Sequence, residues 1–110
     1  MAYDEGLAER VRAHFEDAPD MTEKNMFGGR GFLKRGHYCV GVSGESLMAR
    51  VGPDGYAAAL ERPHAAPKMK TPDQKMTGYV MVSPAGLEED EALAAWLDEC
   101  AAFVETLPPK

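Results

Sequence analysis

The chain has 110 residues, 45% hydrophobic and 27% charged, with a formal net charge of −6. That is one domain, long enough to bury a core without disulfides or a structural metal. The longest uncharged stretch, Met76 to Leu87, is too short and too rich in Pro and Gly for a membrane span. The acids Asp4 and Glu5 stand where a signal peptide would be basic, so a cytoplasmic protein is expected.

Tyr3 to Ala18 is predicted to be an amphipathic helix. Asp4 is its N-cap, Leu7, Val11, His14 and Phe15 form its apolar stripe, and Pro19 ends it. The period then changes. Met21 to Phe27, Arg30 to Lys34, His37 to Ser43 and Ser46 to Val51 read as four strands. They are joined by Gly28-Gly29, Arg35-Gly36 and Gly44-Glu45, turns short enough to force antiparallel pairing. Alternation puts Tyr38, Val40 and Val42 on one face of the third strand, and Cys39 and Gly41 on the other.

Pro53 suits the first turn of a short helix running to about Glu61. Arg62 to Gly78 reads as a loop-rich stretch with an edge segment near Lys68 to Lys70, and Tyr79 to Ser83 as a last strand. The strongest helix spans about Leu87 to Leu107. Leu93, Trp96, Leu97, Cys100, Phe103, Val104 and Leu107 follow helical spacing, acids Glu88 to Glu91 load the first turn, and Pro108-Pro109 stops it. This order predicts an α+β fold: a two-layer sandwich, with helices packed on one face of an antiparallel sheet. The other face would carry Cys39, Gly41, Met48, Arg50, Tyr79 and Met81. Left wet, such a patch points to a protein partner, with a homodimer as one form. Met48, Arg50, Tyr79 and Met81 are the candidate contact residues.

Charge is segregated. Residues 24–75 hold nine bases and four acids, and both flanks are acidic. Solvated acidic helix faces account for most of this. A basic patch of Lys24, Arg30, Lys34 and Arg35, interleaved with Phe27, Phe32 and Tyr38, is the alternative candidate, a surface for nucleic acid. Core aromatics on strands are the commoner meaning of that interleaving.

No pattern of catalysis or metal binding emerges. His14, His37 and His64 are scattered, without zinc spacing, and no nucleophile elbow is present. Gly28-Gly29-Arg30-Gly31 lacks the Lys-Ser or Lys-Thr and the following helix of a phosphate loop, so it reads as a turn or bulge. Cys39 and Cys100 read as reduced, partly buried thiols. No cofactor is expected.

The string Glu23-Lys24-Asn25-Met26-Phe27-Gly28-Gly29, then Gly31-Phe32, Tyr38 to Val42 and Leu47-Met48-Ala49-Arg50-Val51-Gly52 resembles the TfoX/Sxy N-terminal domain family. Met76 to Pro84 and the ending Leu107-Pro108-Pro109-Lys110 are similar to its small single-domain members. The resemblance covers nearly the whole chain. It implies a two-layer α+β fold and kinship with regulators of natural competence, which act as co-activators beside the cyclic-AMP receptor protein. It carries over no catalytic residue. The expected role, motivated by the Met-bearing second face and the charge segregation, is that of a non-enzymatic, competence-regulator-like interaction domain.

Overall fold

A computed structural model describes residues 3–26 and 28–108. Phe27, which closes the expected first strand and the Met-Phe-Gly-Gly string, lies outside the described residues, as do Pro109 and Lys110. The elements are α1 (Glu5–His14), β1 (Met21–Met26), β2 (Gly29–Lys34), β3 (His37–Ser43), β4 (Ser46–Arg50), α2 (Tyr56–Leu60), β5 (Ala65–Thr71), β6 (Gln74–Val82) and α3 (Asp90–Glu105). A 3-10 turn, Pro84–Leu87, precedes α3. These strands form one sheet in the order β1-β2-β3-β4-β6-β5, each neighbouring pair antiparallel.

Several boundaries differ from the expected ones. The Asp4 cap forms, its carboxylate accepting from Leu7 N–H at 3.2 Å, but α1 stops at Phe15, whose ψ of 14° leaves the helix three residues before Ala18. The residues after Pro53 turn before α2 begins at Tyr56, because Gly55 is the residue that caps it. The stretch expected as a loop is a hairpin. Pairing with β6 extends the edge segment into β5, and Pro67 is tolerated there because β5 is an edge strand.

Cross-strand register sorts the strand residues into two faces. Phe32, Val40, Ala49 and Val80 stand side by side, as do Val42, Leu47 and Val82. All seven are at most 1% exposed. They share one cluster with Leu7, Ala8 and Val11 of α1, Ala59 of α2, and Leu93, Trp96, Leu97, Cys100 and Val104 of α3. Burying one such side chain contributes about 1.5–3 kcal/mol, so this cluster is the main source of stability.

The register corrects one expectation. Phe32 pairs with Val40 but Leu33 pairs with Tyr38, so Cys39 is an extra residue in a β-bulge. Alternation breaks there. Cys39 is fully buried in the core cluster, and Tyr38 joins Gly41 on the opposite face. Among the described residues no helix is long and apolar enough to cross a membrane.

Candidate functional site

The second face is built on a cross-strand row. Lys24 pairs with Gly31, Gly31 with Gly41, Gly41 with Met48, and Met48 with Met81. Beside it Arg50 pairs with Tyr79. Two adjacent glycines leave a shallow shelf in the middle of the sheet. Tyr38 lies across Gly41 and Met26 across Gly31, each so close that an added Cβ would collide with it. The Tyr38 hydroxyl donates to the Met48 carbonyl at 3.2 Å. Its burial pushes the Tyr38 phenol up from its ordinary value, so it stays protonated and remains a donor.

Arg50 closes one end of this face. Its Nη1 donates to the Tyr38 carbonyl at 3.0 Å, and its guanidinium lies 5.6 Å from the Tyr79 ring centroid and 5.5 Å from that of Phe103 on α3. Tyr79 also approaches Tyr38, with 6.1 Å between ring centroids. The four residues expected as contact residues are therefore neighbours, but they are not equally accessible. Arg50, Tyr79 and Met81 are half-buried, whereas Met48 is 2% exposed and forms the floor beneath them. The chain's own side chains cover part of the face expected to be wet. Tyr38 and Met26, assigned to other roles in sequence, belong to it. The facing glycines Gly31 and Gly41 are the signal that could have found them, since a gap in a sheet face invites a large neighbour.

The four bases of the alternative site do not form one patch. Lys24 is on the second face, and Arg30 and Lys34, two residues before and two after Phe32 in β2, share the core-cluster face with Phe32. Lys34 is only 8% exposed; its Nζ lies 3.1 Å from Asp20 Oδ1 and 3.6 Å from Glu105 Oε1. It ties β2 to the loop before β1 and to the end of α3, and a buried ammonium needs such partners. Arg35 Nη1 donates to the Glu105 carbonyl at 3.3 Å, at the negative end of the α3 dipole. Arg30 Nε donates to Glu23 at 3.0 Å. Glu23 also receives a two-pronged contact from Arg12, at 2.6 and 2.8 Å. That contact first, and Arg30 second, holds the Glu23 carboxyl below the usual carboxylate range.

The histidines stay apart. His14 Nε2 lies 2.8 Å from Asp98 Oδ1, and His37 Nε2 donates to the Pro108 carbonyl at 2.5 Å. Among the described residues no group of three or more His, Cys, Asp or Glu is placed to hold a metal ion. Burial pushes the Cys39 thiol up to about 12 and the Cys100 thiol well above its ordinary value. Neither is set up as a thiolate nucleophile.

No curated protein and no solved structure matches this chain. The family model of the TfoX N-terminal domain matches residues 13–104, from the end of α1 to the last turns of α3. The matched span contains all six strands, the glycine pair, the face laid over it and most of α3. The chain belongs to the TfoX N-terminal domain family.

Proposed function

We propose that this chain is a non-enzymatic, cytoplasmic interaction domain with a regulatory role, and that it works by binding a protein on the second face of its sheet. The observation that carries this reading is the Arg50–Tyr79–Met81 surface. An arginine rests against aromatic rings, beside a half-buried methionine, over a floor that is already packed. Arginine, tyrosine and methionine are enriched in protein interfaces, and their ordering in the free domain lowers the entropy lost on docking. Family membership supports the same reading, because the long relatives that the sequence resembles are regulators.

The reading is tested by capture from lysate with the wild-type domain and with Tyr79→Ala and Met81→Glu. A protein retained by the wild type and lost from both variants, with unchanged circular dichroism, is the expected result. Equal capture by all three, or none by the wild type, contradicts it. The nucleic-acid reading is not favoured, since Arg30 and Lys34 are already held by carboxylates of the same chain.

A further inference from the structure

Charge is divided between the layers of this fold. Of the 18 acids in the chain, Glu23 is the single one placed in a strand, and Arg12 and Arg30 hold it on the core-cluster side of β1. The rest lie in helices, turns and loops. Along the paired positions of the second face, from Thr22 on β1 to Ala66 on β5, the charged residues are Lys24 and Arg50. Both are cations. Neither meets a carboxylate among the described residues, whereas Arg10, Arg12, Arg30, Lys34 and Arg62 each do. A chain of net charge −6 thus carries one sheet face whose charges are all positive.

The two cations differ in setting. Lys24 is exposed, so water solvates its ammonium. Arg50 is half-buried against two aromatic rings, and its one hydrogen bond among the described residues runs from Nη1 to the Tyr38 carbonyl. The edge formed by Nε and Nη2 has no acceptor there. A carboxylate fits such an edge with two parallel hydrogen bonds. The rings hold the guanidinium in place before anything docks, which lowers the freedom lost on binding. Covering Arg50 with a partner that brings no acid would take an unpaired charge out of water, which is strongly unfavourable.

We propose that the protein docked on this face is acidic where it meets the sheet: one carboxylate pairs with Arg50, a second with Lys24, and apolar side chains between them lie on the Met26–Tyr38 shelf. This chemistry rests on the reading that a protein binds the second face. Three strand spacings and two residues along a strand separate the two cations, roughly 16 Å between backbones. On a helix, with its rise of about 1.5 Å per residue, that is about eleven residues, so the matching segment has two acids three turns apart on one side. A nucleic acid fits less well, because two cations neutralise few phosphates and the rest of the chain repels a polyanion. A second copy fits less well because two chains of −6 repel each other.

The probe is a synthetic helical peptide of about 15 residues, with two glutamates three turns apart and leucines between them on the same side, titrated into isotope-labelled protein and followed by NMR. Its control carries glutamine in place of both glutamates, so the comparison needs no variant of the protein. The acidic peptide is expected to shift the Arg50 Nε–H and Met81 methyl signals. It is expected to bind about tenfold more tightly than the control at about 50 mM salt, with a smaller difference at about 500 mM. Arg50→Gln should weaken binding about tenfold, and the exposed Lys24→Gln about threefold. Arg50→Lys keeps the charge without the planar fork and should recover only part of the loss. Circular dichroism verifies that each variant folds. Equal affinity for the two peptides, shifts that bypass Arg50, or duplex DNA bound at Arg50 in preference to the acidic peptide overturns the proposal. So does self-association of the wild type that Arg50→Gln abolishes, which would make a second copy the occupant. Capture from lysate separates this chemistry from the reading beneath it. A protein lost from Tyr79→Ala and Met81→Glu but retained by Arg50→Gln and Lys24→Gln leaves docking in place and removes the acidic partner. A wild type that captures nothing removes both.

Discussion

Tyr38 covers Gly41: its ring lies over the glycine, and its hydroxyl donates to the Met48 carbonyl of the next strand at 3.2 Å. A side chain at position 41 would meet both that hydroxyl and the Arg30 carbonyl. Gly41→Val should therefore cost about 1–3 kcal/mol through overpacking, measured by urea unfolding. It should also displace Tyr38 and broaden the Tyr79 resonances. Wild-type stability would show that the ring is not held there.

Glu23 links α1 to the sheet by accepting from Arg12 and Arg30. Its carboxyl is held low, first by Arg12, so its folded pKa lies below its unfolded one. The stabilisation is then full above the unfolded value and is lost as pH falls through the folded one. Glu23→Gln should cost about 1 kcal/mol at neutral pH, allowing for screening of the partly exposed Arg12. The gap between wild type and variant should narrow below about pH 4 and close in strong acid. A gap independent of pH would remove the ion pair as its cause.

Arg62 stacks on the lone tryptophan. Its guanidinium carbon is 3.4 Å from the Trp96 ring centroid, and its Nη1 donates to Glu99 at 2.5 Å. Trp96 is 3% exposed. Arg62→Ala should red-shift the tryptophan emission and lower stability by about 1–2 kcal/mol. Unchanged emission would mean that other groups shield the ring.

The two thiols give a third measure of packing. Cys39 and Cys100 are fully buried, and burial raises both thiol pKa values. A thiol reagent at about pH 8 should leave both unmodified in the folded protein and modify both in denaturant. Rapid modification of either one under native conditions would contradict the packing around the bulge.

Much of the fold was legible because periodicity and turn residues agreed. β3 was bounded by Arg35-Gly36 and Gly44, and all three residues have positive φ. α3 declared itself through six apolar positions on one stripe, Leu93 to Val104, with Leu107 just past its end. Less legible was what depends on partners distant in sequence. The loop-like composition of residues 62–78 concealed β5, because pairing with β6 outweighs the poor strand propensity of Pro67 and the lysines. The Cys39 bulge has no local sequence mark, and it alone moved Tyr38 to the second face. The basic stretch looked like a surface because its acids, Asp20, Glu23 and Glu105, lie just outside it in sequence or on another helix.

The proposed partner docks on the Arg50–Tyr79–Met81 face. Its docking is tested most directly by the methyl resonances of the methionines, labelled with carbon-13, when a partner captured from lysate is added. Met81 is expected to shift strongly, buried Met48 to follow, and exposed Met69 on β5 to stay in place. A shift confined to Met69, or no shift at any methionine in a complex that demonstrably forms, would contradict it.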